Sequence, residues 1–241
     1  MSKRIENEIE HGKMLLAEGA ESVWNWESPA GRKRADRRVK YFIDLAKVNR
    51  GDKVLEIGCG TGLFTRKFYE ATKANITAID ISEELLAEAR KLLPEASFRV
   101  EDAMQMSFAT NTFEVVYGSS VLHHLEFDSS LKEIFRVLKP GGRMIFAEPN
   151  MINPQILIQK NIPFIKKRMG DSPDERAIVR WRYANLMRTI GYKKVHIFPY
   201  DFLHPIVPEA LIGLVNGIGR IMEQIPILKE IAGSVIIYGE K

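Results

Sequence analysis

Four carboxylates and one histidine are placed to do chemistry in this sequence. Glu56 and Asp80 close short apolar runs, Val54–Ile57 and Asn75–Asp80; Asp102 and Glu148 follow two more such runs, and His124 lies in a loop after another. Between the first two acids sits Gly58-Cys59-Gly60-Thr61-Gly62, with glycine at alternate positions. Glycine serves where a backbone must turn left-handed or lie against a ligand. Asp80 follows that loop at about 20 residues, the offset at which a carboxylate meets the ribose hydroxyls of a bound nucleoside. A carboxylate accepts both hydroxyl protons at once.

The elements that must position these groups read as a strand, a glycine loop and a helix. The dinucleotide pattern G-x-G-x-x-G is not met, because the third glycine comes one place early at Gly62 and Leu63 stands where that pattern wants glycine. A carboxylate at Glu56 repels a pyrophosphate but suits a ligand carrying an ammonium and a sulfonium.

At this point the chain resembles the class I S-adenosylmethionine-dependent methyltransferases of the small-molecule type, whose first motif is an acid followed by G-x-G-x-G. Three later segments extend the resemblance over residues 53–148: the acid at Asp102, the loop Gly118-Ser119-Ser120-Val121-Leu122-His123-His124-Leu125, and Arg136-Val137-Leu138-Lys139-Pro140-Gly141-Gly142. Glu114 stands where that family usually has aspartate. The resemblance implies S-adenosylmethionine as cofactor, with no metal. It puts Glu56, Gly58, Cys59, Gly60, Thr61 and Gly62 around the donor, Asp80 on the ribose and Ile81 against the adenine. Asp102 accepts from the adenine amino group beside the Ala103 backbone, and the loop at Ser119 takes the methionine ammonium. Arg32 is the expected partner of the cofactor carboxylate. Cys59 reads as a small residue in a tight turn, not as a nucleophile.

Composition bounds the rest. The chain has 241 residues, 45 % hydrophobic and 27 % charged, with net charge +4 and one cysteine. That is ordinary for a globular domain, allows no internal disulfide, and is too weakly basic to argue for nucleic acid by itself. No run approaches the ~20 apolar residues of a membrane helix, and no secretory signal opens the chain. A cytoplasmic location is expected. Basic residues crowd Arg32–Lys40, where a solvated helix face is the plainer account and an anion site the sharper one.

Strands at 53–57, 75–80, 97–100, 113–117, 143–147, 194–199 and 234–238 alternate with helices, which predicts a Rossmann-like α/β fold: a seven-stranded, mostly parallel sheet with helices on both faces. Ser82 caps one helix, and Asp128 another whose stripe is Leu131, Ile134, Phe135 and Leu138, stopped by Pro140-Gly141-Gly142. A further helix is expected over 174–190, with Val179, Tyr183, Leu186 and Ile190 inward. One domain spans 1–241: an N-terminal helical flap over 1–50, a cofactor-binding core over 53–148, and cap insertions at 149–173 and 200–233. An apolar stripe from Leu211 to Ile225 in the second insertion is expected to cover the sheet. The alternative is a lid over a lipid-like acceptor that touches a bilayer with help from Lys166, Lys167 and Arg168.

Methyl transfer from a sulfonium is an in-line displacement that asks the protein mainly to align the acceptor and exclude water. His124 is the candidate base or orienting group, and Glu148 is expected to face the same mouth of the sheet. Tyr200 and His204 are weaker candidates. The Asn/Asp-Pro-Pro-aromatic loop of base amino-methylation is absent after the fourth strand, and so is a cysteine for cytosine C5 chemistry. A small-molecule acceptor remains, with RNA methylation and a non-catalytic cofactor-binding role as the alternatives.

Overall fold

The structure is a computed structural model and describes residues 3–162, 164 and 179–241. Two helices open the chain, α1 (Lys3–Glu18) and α2 (Ala20–Val23), followed by α3 (Pro29–Ala46). Ser28 caps α3, its hydroxyl accepting from Gly31 N at 2.9 Å, and Pro29 supplies a preset φ at the first helical position. Next come β1 (Lys53–Ile57), α4 (Leu63–Thr72), β2 (Asn75–Asp80), α5 (Glu83–Leu92) and β3 (Ser97–Val100). The Ser82 hydroxyl caps α5 by accepting from Leu85 N, with Glu83 and Glu84 in the first turn and Arg90 and Lys91 in the last, each favoured by the helix dipole.

The second half holds β4 (Phe113–Ser119), α6 (Phe127–Val137), β5 (Leu138–Pro149), α7 (Pro154–Asn161), α8 (Arg180–Ile190), β6 (Lys193–Tyr200), α9 (Ile212–Met222) and β7 (Ser234–Glu240). All seven strands join one sheet in the order β3-β2-β1-β4-β5-β7-β6, parallel throughout except for β7, which runs antiparallel between β5 and β6. One face buries Val54, Tyr117, Ile145 and Ile236 against α3, α4 and α5. The other buries Leu55, Val116, Phe146 and Ile237 against α6 and α8.

Four expectations need correction. Pro140-Gly141-Gly142 does not end α6; the helix stops at Val137 and the three residues lie inside β5. A residue before proline avoids helical geometry, so Leu138 and Lys139 are already extended, and the register of β4 on β5 shifts across this stretch. Asp128 sits in the first turn of α6 rather than at its cap, and Val137 is buried where Phe135 is only half-buried. In α8, Tyr183 and Met187 are the buried residues while Val179 is exposed; the expected start at 174 lies outside the described residues, as do Lys166, Lys167 and Arg168.

The fourth correction concerns the second insertion. Leu214, Ile218, Ile221 and Ile225 face solvent instead of covering the sheet. The sheet face beneath is already filled by Val39 and Phe42 of α3. The insertion is tied to α3 through charge: Arg34 Nε donates to Asp201 at 2.7 Å and Arg37 Nη1 to Glu223 at 2.8 Å. The basic segment is thus only in part a solvated face, since Arg34 and Arg37 point inward and Arg38 is buried.

Candidate active site

A cavity of about 280 Å³ opens at the carboxyl ends of β1, β2 and β4. β1 and β4 are the neighbours from which the strand order runs outward in both directions, the place where open α/β sheets bind ligands. Ile57 and Asp80 end their strands at its floor, residues 101–103 follow β3 along one side, and Ser119, Ser120 and Val121 bound it after β4.

The glycine loop forms the floor's rim. Gly58 has φ +67°, and a Cβ there would lie 2.4 Å from Val121 Cγ2, so only glycine lets the loop pass under the β4 loop. Asp80 pins this loop: Oδ2 accepts from Gly60 N at 2.8 Å and Oδ1 from Ser82 N at 3.0 Å. Burial holds its carboxyl above the ordinary aspartate range, opposed by those two N–H groups. Asp102 also lines the cavity, with Oδ1 accepting from Met104 N at 3.0 Å. Its neighbour Glu101 lines the cavity too and accepts from Ser107 N at 3.0 Å.

The loop after β4 is braced from behind. Ser120 adopts φ +57°, a costly conformation for a residue with a side chain, and its N–H donates to Ala147 O at 2.8 Å. The buried Arg38 guanidinium donates to Ser119 Oγ at 2.7 Å, Ser120 Oγ at 2.9 Å and Tyr200 Oη at 3.2 Å. With Ser234 Oγ at 3.4 Å, all its hydrogen-bond partners are hydroxyls, and it stands behind the β4 loop. Tyr200, a weaker candidate in the sequence, is fully buried and serves Arg38. Leu122–His124 make one 3₁₀ turn that brings His124 to the cavity wall, its Nδ1 3.3 Å from Glu8 Oε2.

The N-terminal helices roof the site. Arg4 Nη2 reaches Asp102 at 3.3 Å, Glu21 accepts from the Thr61 hydroxyl, and the Trp24 ring lies over Gly60. Trp26 meets Phe64 edge to face with centroids 5.3 Å apart, and the Arg38 guanidinium lies 5.0 Å from the Trp26 ring. Arg4, Glu8 and Glu21 carry no motif, and their sequence signal is only a helical segment rich in charge.

The structure brings Gly58, Cys59, Gly60, Thr61, Asp80, Ile81, Asp102, Ala103, Ser119 and His124 to one cavity. It leaves four others off the lining. Glu56 points to the α3 and α4 side, where it accepts from Tyr117 Oη at 2.7 Å and burial pushes its carboxyl up to about 7. Side chains alternate along a strand, so a residue one place before Ile57 faces the other way. Gly62 turns from the cavity toward α5, where a Cβ would meet Ala89 Cβ at 3.1 Å. Glu148 is fully buried behind the β4 loop. Arg32 is exposed and donates to its own neighbour's carbonyl at Glu27. His204 sits in the second insertion, 3.0 Å from Gln155 Nε2 through its own Nε2, with burial lowering its pKa. Burial also drives the Cys59 thiol far above its usual pKa, which fits an inert turn residue. No group of three metal-ligating side chains is gathered among the described residues.

A family model described as a methyltransferase domain matches residues 55–146, the stretch from β1 through β5 that builds this cavity. These residues form a methyltransferase domain, and the protein is an S-adenosylmethionine-dependent methyltransferase. The enzyme is 27 % identical over 177 residues to an uncharacterized methyltransferase-like protein of Schizosaccharomyces pombe, covering 73 % of this chain and 68 % of that one. It is 27 % identical over 210 residues to a demethylmenaquinone methyltransferase of Chlorobaculum parvum, covering 78 % and 81 %. In fold it is similar to Haemonchus contortus phosphoethanolamine N-methyltransferase 2 in complex with S-adenosyl-L-methionine, with a TM-score of 0.65, 17 % identity, and coverage of 92 % of this chain and 55 % of that one. The enzyme's cofactor is S-adenosylmethionine. The glycine loop, Asp80, Asp102 and the Ser119 loop all border this one cavity.

Proposed function

We propose that this methyltransferase acts on a small, hydrophobic, lipid-like acceptor. One observation carries the reading. The cavity that His124 borders is also lined by the apolar side chains Leu15, Trp24, Trp26, Phe64, Val121 and Leu125, with the imidazoles of His11 and His124 set among them. The name of the Chlorobaculum relative, which specifies demethylmenaquinone, is consistent with an acceptor of this kind.

In this reading Asp80 takes the ribose hydroxyls beside Ile81, and Asp102 with the Ala103 backbone holds the adenine. The Ser119 loop holds the amino-acid end, with Arg38 in place of Arg32 as the charge that favours its carboxylate. When bound, the cofactor supplies a methyl group already activated on sulfur. The chain's own task is to hold the acceptor in line, exclude water beneath α1 and the two tryptophans, and accept the acceptor's proton at His124, with Glu8 compensating the imidazolium. Glu148 is a positioning residue here. A cytoplasmic location goes with this reading.

An RNA substrate draws less support. Arg34, Arg37 and Arg38 are engaged inward, and Lys40 pairs with Asp44, so the segment offers no continuous phosphate track. Incubation with methyl-tritiated S-adenosylmethionine and detergent-dispersed cell lipid tests the proposal. Label should enter the organic phase and fall at least tenfold, by estimate about the loss of a general base, in His124→Ala. Label confined to water-soluble products or to RNA would overturn it.

A further inference from the structure

Twelve of the 17 exposed large apolar side chains among the described residues lie in just two segments, 149–164 and 200–233. On the second, Ile206 is 80 % exposed, Leu214 63 %, Ile221 66 % and Ile227 82 %, with Ile218 and Ile225 beside them. Leu214, Ile218, Ile221 and Ile225 recur at helical spacing, so they form one stripe along α9 and the turn after it. Gly213 and Gly217 face open space as well. On the first, Leu157, Ile158, Ile162 and Phe164 are exposed. The two segments adjoin: Asn153 Nδ2 donates to Ile231 O at 2.8 Å, and Asn150 Nδ2 to Glu230 O at 2.8 Å.

Charge on this face is sorted. Three of the four acids in 200–233 are drawn inward by arginines: Asp201 by Arg34, Glu223 by Arg37, and Glu230 by Arg180 at 2.7 Å. Only Glu209, in the turn before α9, is left outside. Arg220, in the last turn of α9, is exposed and takes part in no ion pair among the described residues, and Lys229 follows it. The outward face is therefore aliphatic with a cationic edge.

We infer that this face docks on the surface of an anionic lipid bilayer. Aliphatic side chains on one side of a helix, with cations at the border, match an interfacial element whose apolar face enters the acyl boundary while its charges meet headgroups. A protein partner is less favoured, because interface anchors are mostly Trp, Tyr and Arg, and the stripe on α9 is isoleucine and leucine. Docking here also has a route to the site: Ser28 Oγ donates to Pro205 O at 3.0 Å, joining the insertion to the segment whose Trp24 and Trp26 line the cavity. The inference deepens the hydrophobic-acceptor reading by naming the phase the acceptor comes from, and rests on that reading for this last step alone.

The test is co-sedimentation of the full chain with vesicles of phosphatidylcholine, with and without phosphatidylglycerol, and no acceptor present. Binding should be strongest to the phosphatidylglycerol vesicles. Leu214→Asp with Ile218→Asp, both at exposed positions, should lower the partition coefficient by at least about tenfold. Arg220→Glu should lower it about fivefold or more on the anionic vesicles and little on the neutral ones. Unchanged thermal unfolding and cofactor affinity would show that the variants are folded. A chain that stays in solution with both vesicle types, or variants that sediment like the parent, would overturn the inference. A dimer that dissociates in the double variant, with no lipid binding, would assign the face to a second copy instead. Transfer to detergent-dispersed lipid is read separately, so either proposal can fail without the other.

Discussion

Glu148 Oε2 lies 2.7 Å from His123 Nδ1, while its Oε1 accepts from Val121 N at 3.0 Å and Leu122 N at 2.9 Å. One buried carboxylate at the end of β5 thus fixes the turn that delivers His124 to the cavity. Glu148→Ala strands two backbone N–H groups and a histidine. It should cost about 2–4 kcal/mol and lower the Tm by roughly 5–15 °C. Calorimetry checks this, and a Tm within a degree of the parent would show that the carboxylate braces nothing.

Asp80 should carry much of the cofactor affinity. Its carboxylate holds Gly60 N and Ser82 N and borders the cavity, so Asp80→Ala removes a ligand group and loosens the loop that shapes the floor. Affinity for S-adenosylmethionine should fall by about 100-fold by titration calorimetry, the equivalent of two charge-assisted hydrogen bonds. A change of less than threefold would mean that the sugar is held elsewhere.

Glu56 should make stability depend on pH. Its carboxyl titrates at about 7 when folded against 4.5 as a free side chain, because burial disfavours the charged form. The native state binds the proton more tightly, so this contribution is whole below about pH 4.5 and is lost as pH rises toward 7. Glu56→Gln stays neutral and still accepts from Tyr117. It should flatten that slope and be more stable at pH 8 by on the order of 2–3 kcal/mol. Denaturant melts from pH 4.5 to 8 decide this, and parallel curves for the two proteins would contradict it.

The roof should respond at Arg4. Its contact with Asp102 is a partly exposed ion pair across 98 residues of chain, and such pairs are worth up to about 1 kcal/mol. Arg4→Ala should speed both entry and exit of S-adenosylhomocysteine by about two- to fivefold with little change in Kd. Stopped-flow fluorescence of Trp24, which lies over Gly60, should report it. Rates equal to the parent's would show that α1 does not gate the cavity.

The sheet and the floor of the site were legible in the sequence, because they depend on local rules. β1, β2 and β3 begin and end where their apolar runs do, Ser82 caps the helix it precedes, and the glycine loop and Asp80 lie at the ends of neighbouring parallel strands. What a residue does within its own turn or strand follows from its neighbours in the chain. Pro140 acts beyond its own position: the residues before it are already extended, and α6 ends at Val137.

Only the tertiary structure decided direction. Nothing in the chain order tells that Glu56 turns to Tyr117 while Asp80 turns to the cavity, that Arg38 rather than Arg32 stands behind the serines, or that Glu148 braces the loop from within the core. Nor does it tell that Arg34 and Arg37 hold the second insertion by its acids, leaving the stripe on α9 facing outward. Each of these depends on a partner between 20 and 186 residues away along the chain. A run of sequence fixes how a segment winds, but the side on which a charge finds its counterpart is set by the elements that close around it.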